Sequence, residues 1–358
     1  MFSPLRYGNV IYQLILLKLA NLFTGIPGKL TNILIPGKLV HMKLYLPNSA
    51  FIGNIDPFLK SIDFSDNNKL EIAANEKWIA VHPVVLSMVA ALGLPVKPEN
   101  IKCEKLTAKS AHYLQRMGLF NFLGTKSGLK TEEHEPAGRF VPLTKINNSD
   151  ELSNFIKDII PLLHLQPFQV DPIRYVVSEL VRNVIEHSAS PTGAIVSAQY
   201  YKKSNRIAIG IVDTGVGIKK TINQSYAAAT HLEAIRLALI PGITGTTKRE
   251  GGTEYNAGAG LFFIKSIAKV NHDFFMIYSG NAMYKLLKTG PNKLRVDPYD
   301  DKHSKSENLP CWGGTVVGVD ISLDETKEFS TLLDLIREIY SKAVKERRKA
   351  KYRKPKFI

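Results

Sequence analysis

Cysteine is nearly missing from this 358-residue chain: Cys103 and Cys311 stand far apart, with no CxxC pair and no nearby histidine at ligand spacing. That excludes a disulfide framework and a zinc site, and it predicts the reduced thiols of a cytoplasmic protein. Long apolar runs are missing too. The strongest, Val10–Phe23 (VIYQLILLKLANLF), is interrupted by Gln13, Lys18 and Asn21. It falls short of the roughly 20 apolar residues of a spanning helix, and no small-residue cleavage site of the A-x-A kind accompanies it. Acidic residues are scarce beside basic ones, 32 against 47, for a formal charge of +15. Such an excess favours anionic partners: nucleotide, nucleic acid or an acidic lipid surface. Much of it lies in Ser341–Phe357 (SKAVKERRKAKYRKPKF), which reads as a solvated helix end running into a basic tail, so nucleic acid ranks below nucleotide.

What is present is ordinary globular composition, 44% hydrophobic and 22% charged, in a length that suggests about two domains. IPGKL at Ile26–Leu30 recurs at Ile35–Leu39, too short a repeat for a solenoid unit. Met42 then opens MKLYLP, a first strand. Residues 1–41 therefore read as an amphipathic or loosely ordered extension, with the functional part beginning near Met42. Lys69–Ala74 reads as a strand. His82–Gly93 reads as a helix with Pro83 at its start, where a missing N–H costs nothing. Ala108–Gly124 reads as a second helix ending near Gly118. This βα alternation predicts a small α/β domain over 42–125. Lys126–Gly138 is polar and opens a linker over 126–148. Ser149–Leu163 is amphipathic and begins a larger domain, 149–323, followed by a C-terminal helix (Glu325–Arg348) and tail over 324–358.

The chemistry concentrates in the larger domain. Along the helix containing Arg174–Ser188, Glu179, Asn183 and Glu186 share one face beside an apolar stripe of Ile173, Val176, Val177, Leu180 and Val184. A carboxylate and an amide one turn apart can hold a hydrated Mg²⁺ and orient a water. Ala194–Tyr201 and Arg206–Asp213 then read as a hairpin, ending in Asp213-Thr-Gly-Val-Gly-Ile218. An aspartate at a strand end can accept a hydrogen bond from an exocyclic amine, and Gly215 and Gly217 let backbone approach a ligand. Gly258 and Gly260 precede the helical segment LFFIKSIAKV, whose N-terminal N–H groups suit phosphate. The spacing is neither a dinucleotide fingerprint nor a Walker A loop. Asp273–Ser279, Ala282–Lys288 and Gly314–Ile321 supply further strands, with Gly280-Asn281 as a tight turn.

In this order, ExxxN on a helix, DTGVGI after a strand, GAGLF before a helix and GT opening a late strand, the segment Phe168–Ile321 resembles the GHKL ATPases: gyrase-type topoisomerases, heat-shock chaperones, sensor histidine kinases and mismatch-repair ATPases. The resemblance implies a Bergerat-type α/β sandwich of helices on a mixed sheet, binding ATP and Mg²⁺. By position, Asn183 would coordinate the metal, and Asp213 would hold the adenine amine in a pocket shaped by Gly215 and Gly217. Gly258, Gly260 and Leu261 would bind the phosphates, with Thr315 beneath the adenine and Glu179 as general base. His231–Gly252 matches the family's mobile lid, with Lys248 and Arg249 reaching the terminal phosphate. The strand, helix and YLQRMGLF of 42–125 resemble a STAS-like domain of anti-sigma-factor antagonists. Such antagonists carry a phosphorylatable residue at the helix start, where this sequence has Val81, His82 and Pro83, with Ser87 a full turn inside. That implies a docking or scaffold role toward a protein partner. The expectation is an ATP-dependent regulatory switch with Mg-dependent hydrolysis, signalling through the STAS-like part and leaving a homodimer open. The alternatives are a protein kinase similar to anti-sigma-factor serine kinases or histidine kinases, and a nucleic-acid-associated ATPase using the basic tail.

Overall fold

Along Met42–Leu46 and Leu70–Ala74 every second side chain is buried, the period of strands with one face inward. The computed structural model describes residues 42–64, 68–75, 80–104, 108–126, 140–247, 258–288, 293–323 and 329–351. Its strands are Met42–Leu46 (β1), Ser49–Ala50 (β2), Leu70–Ala74 (β3), Ala80–Val81 (β4), Ile101–Glu104 (β5), Phe140–Ile146 (β6), Ala194–Tyr201 (β7), Arg206–Val212 (β8), Phe275–Gly280 (β9), Ala282–Leu286 (β10), His303–Ser306 (β11) and Trp312–Ser322 (β12). Its α-helices are Asp56–Lys60 (α1), Pro83–Gly93 (α2), Ala108–Arg116 (α3), Leu119–Phe122 (α4), Ser149–Asn154 (α5), Pro167–Asn183 (α6), Gly217–Ile222 (α7), His231–Ala238 (α8), Gly260–Val270 (α9) and Phe329–Lys351 (α10). No described helix is long and apolar enough to cross a membrane. The expected extension 1–41, residues 127–139 of the expected linker and the tail 352–358 lie outside the described residues.

The protein is an α/β structure with two main sheets. β1, β3 and β5 pair in parallel, as the βα alternation requires, because parallel neighbours need a crossover between them. The larger sheet has seven strands in the order β11-β10-β9-β12-β8-β7-β6. All its pairings are antiparallel, which corrects the expectation of a mixed sheet. The cause is β12: β8 and β9 run the same way across a helical crossover, and β12 inserts between them in the opposite sense. Of the remaining neighbours, β7/β8 and β9/β10 are joined by short turns, which connect only antiparallel strands.

Apolar residues cover both faces of this sheet. One face carries α6, α9 and α10 over a core that includes Ile209, Ile277, Val319, Val176 and Phe262. The other carries α2, whose residues from Pro83 to Gly93 are all buried, and the segment 42–123 behind it. Side chains from that segment and from Ile195, Val212, Met276 and Val316 of the large sheet form one core. Burying Val84, Val85, Leu86, Met88 and Val89 completely contributes about 1.5–3 kcal/mol each. The expected partition into separate domains at 125 and 149 is therefore corrected: 42–123 is a layer of the same compact unit. Within the expected linker, Phe140–Ile146 is the edge strand β6, paired with β7.

Polar contacts fix this layer in register. His82 is fully buried; its Nδ1 accepts the Val84 N–H at 3.1 Å, so Nε2 carries the proton toward Asp320 at 3.2 Å. Lys285 reaches Asp56 at 2.5 Å. Ser87 bonds Ser197 at 2.9 Å and is fully buried between α2 and the sheet, so a kinase cannot reach it in this fold. The stretch Ser149–Leu163 is helical throughout but changes type, from α5 to a π turn (Phe155–Ile159) and a 3-10 turn (Ile160–Leu163). Pro161 lacks the N–H that a continuing α-helix would use.

Candidate functional site

A cavity of about 360 Å³ opens on the α6 face of the large sheet. Its floor comes from α6. The buried stripe Ile173, Val176, Val177, Leu180 and Val181 packs α6 on the sheet, which turns Glu179 and Asn183 along the edge of that stripe, half-buried, into the cavity. Past Asn183 the helix widens into a π turn, Val184–Ser188, ending at Ala189 in the left-handed region (φ +47°). Such insertions re-aim side chains at functional sites, and Glu186 and His187 reach the rim here.

Asp213 follows β8 directly and is 2% exposed. Its Oδ1 accepts the Gly215 N–H at 2.7 Å, and its N–H donates to the Thr315 carbonyl at 2.9 Å. Burial pushes its carboxyl up to about 6, against the hydrogen bonds from Gly215 and Thr315, which pull it down. A carboxylate held this way at a cavity wall is an acceptor with strong reason to take an incoming N–H. Ile211, Ile218, Ile222, Ile243 and Val317 supply apolar wall around it.

On another side the α9 N-terminus faces the cavity through Gly258, Ala259, Gly260 and Leu261. Its N-cap, Ala259, offers no side-chain cap, so the first N–H groups and the positive end of the helix dipole are available to an anion. Glu179 lies against this terminus: a Cβ at position 260 would sit 2.7 Å from its Oε2, so the carboxylate reaches up to the first turn of α9. Burial raises the Glu179 carboxyl, with Arg182 lowering it and Glu186 raising it, which suits a proton acceptor. From the expected lid, Ile243, Thr244 and Gly245 line the cavity, and the Gly242 N–H donates to the Gly258 carbonyl at 2.9 Å.

Glu179, Asn183, Asp213 and Gly217 thus meet Gly258, Gly260, Leu261 and Thr315 around one space. Gly215 stands behind the wall, its N–H held by the Asp213 carboxylate at 2.7 Å. A Cβ there would fall 2.0 Å from the Ser188 carbonyl, so this glycine lets the loop close on the end of the π turn, where the Val216 N–H donates to Ser188 at 2.7 Å. Lys248 and Arg249 lie outside the described residues. Thr221 and the apolar wall were missed by motif reading, although Ile218 sits inside DTGVGI and Ile243 inside PGITG.

Chemically, one end can receive a flat apolar group with an N–H donor and the other can receive an anion. Among the described residues no three His, Cys, Asp or Glu side chains cluster as a metal site. An Asn183 amide oxygen lining the cavity still fits Mg²⁺, which keeps several waters and takes oxygens from phosphate. No protein-family model matches the chain, and no curated protein matches its sequence.

Proposed function

We propose that this chain binds Mg·ATP in the 360 Å³ cavity and works as an ATP-dependent regulatory switch of the GHKL kind, on a Bergerat-type arrangement. One observation carries the reading: eight residues selected from four separated stretches, 179–183, 213–217, 258–261 and 315, line a single cavity. Asp213 accepts the adenine amine, and the N–H groups of Gly258–Leu261 hold phosphate at the α9 terminus. Mg²⁺ held through Asn183 would neutralise charge on the phosphates. Glu179, with its raised carboxyl, takes the proton from the attacking water. The layer 42–123, the STAS-like part of the reading, passes the signal to a protein partner through its outer surface, since α2 is enclosed.

Isothermal titration with ATP and Mg²⁺ tests binding; no heat and no displacement of a fluorescent ATP analogue would refute the reading. Incubation with γ-labelled ATP, with and without DNA, then separates the uses. Free phosphate supports the switch, label retained on protein supports a kinase with Glu179 activating a protein hydroxyl, and DNA-stimulated turnover supports a nucleic-acid ATPase.

A further inference from the structure

Trp312 is one of two tryptophans in the chain and is 2% exposed. Its ring belongs to the core on the sheet face away from the cavity, yet its Nε1–H donates to the Asp213 main-chain carbonyl at 2.9 Å. Three residues on, Thr315 takes the Asp213 N–H on its own carbonyl at 2.9 Å and bonds the Asp213 carboxylate. The stretch Trp312-Gly-Gly-Thr315 therefore grips Asp213 at its carbonyl, its N–H and its side chain.

The local backbone is built for this grip. Pairing of β12 with β9 breaks register between Trp312 and Thr315, a bulge that re-aims the side chains on either side of it. Gly314 sits at φ +111°, where a Cβ would lie 2.2 Å from the Asp213 carbonyl. The Gly314 carbonyl accepts the Ser279 hydroxyl at 2.6 Å, and that hydroxyl accepts the Ile218 N–H at 3.0 Å. The loop after Asp213 is thereby tied to the same bulge. Against the indole, Phe64 of the 42–123 layer packs edge-on with ring centres 6.3 Å apart. Tyr278 flanks it at 6.3 Å, with its hydroxyl donating to the Pro310 carbonyl.

We propose that Trp312 is a positioning residue through which the 42–123 layer regulates the adenine end of the nucleotide site. The inference rests on the ATP reading of the cavity. Packing of Phe64 on the indole holds its N–H on Asp213, so displacing the layer loosens the adenine acceptor, and bound ATP in turn favours the packed layer, because such coupling is reciprocal.

The test uses the full chain. Trp312→Phe keeps an aromatic ring and removes the N–H together with part of the indole volume; loss of the hydrogen bond should weaken ATP binding about tenfold, while ITP, which lacks the exocyclic amine, controls for the lost packing and should bind unchanged. Phe64→Leu, remote from the cavity, should reproduce part of that selective loss. With 5-fluorotryptophan at both tryptophans, the fluorine resonance that persists in Trp78→Phe belongs to Trp312 and should move when ATP is added, a reading that does not need Trp312→Phe to fold. Unchanged ATP affinity in both Trp312→Phe and Phe64→Leu would overturn the proposal. So would equal losses for ATP and ITP, or a resonance indifferent to ATP in a protein that binds it. A protein that binds no ATP at all would instead remove the functional reading beneath it.

Discussion

The two faces of the seven-stranded sheet use the same strands for opposite ends. On β8, Ile207, Ile209 and Ile211 face the side that holds the cavity, while Gly210 and Val212 face α2. The α2 face is sealed: a wholly buried helix, satisfied hydroxyls and a backbone-to-backbone approach at Gly210. The α6 face leaves a 360 Å³ hollow and a buried carboxylate whose pKa is pushed up to about 6. The sealed face supplies stability, and the open face holds groups that a well-packed core would exclude, the pattern expected where function opposes stability.

Changes confined to one face should therefore register in one kind of measurement. The largest effect is expected at Glu179 on the open face: Glu179→Ala should lower ATP turnover about a thousandfold, roughly 4 kcal/mol of barrier, with ATP affinity and melting temperature little changed. Steady-state phosphate release and titration calorimetry check it, and a comparable loss of affinity would break the assigned division of roles. On the sealed face, Gly210→Ala sets a Cβ 2.3 Å from the Val84 N and Cα. Backbone rather than a flexible side chain must move, so a loss of about 3 kcal/mol in urea unfolding is expected. A loss below about 1 kcal/mol would show that α2 is not seated as described.

Asp213→Asn should sharpen the contrast, because it moves binding and stability in opposite directions. ATP affinity should fall about a hundredfold, as the acceptor facing the amine is lost. Burial raises the Asp213 carboxyl from its usual value near 4 to about 6, so the folded state binds the proton more tightly than the unfolded chain. Its contribution to stability is fully present below pH 4, declines as pH rises through 6, and stays lost above that. Asparagine does not titrate. The stability of Asp213→Asn relative to the parent should therefore rise by about 2 to 3 kcal/mol between pH 4 and pH 8. Denaturant midpoints without nucleotide at the two pH values measure it; parallel curves would show that Asp213 is not desolvated.

Much of the open face was legible in the sequence because its chemistry depends on residue type at short spacing. Glu179 and Asn183 share a helix face by the 3.6 period, and Gly258 and Gly260 announce a helix terminus. The sealed face was harder to read. An all-apolar run such as PVVLSMVAALG states that a helix is buried but not against what, and the polar stretch after Gly124 looked like a boundary between domains. That α2 lies on β7 and β8 depends on long-range pairing that no local period encodes. The HSKS of β11 has no apolar alternation to mark it, and the place of β12 between β8 and β9 depends on the order of strands rather than on any one of them. Gly215 shows a subtler limit: its motif pointed to the cavity loop, but its packing partner, the Ser188 carbonyl, belongs to another element.

The smallest expected effect tests the seal itself. Ser197 donates to the Pro83 carbonyl at 3.0 Å, which makes Ser87 the donor in the 2.9 Å contact between the two hydroxyls. Ser87→Ala removes that donor without stranding Ser197, whose own proton stays bonded, and it leaves a hydroxyl-sized gap in a fully buried site. The cost should be about 1 kcal/mol in chemical unfolding, with ATP affinity unchanged because the whole sheet lies between Ser87 and the cavity. Ser87→Asp has no such mild outcome: a carboxylate in the same fully buried enclosure must be desolvated. The contrast bears on regulation, since a phosphate at Ser87 would act by opening the α2 layer rather than by decorating a docking surface. If Ser87→Asp melts within about a degree of the parent, α2 is accessible and the sealed face is not sealed.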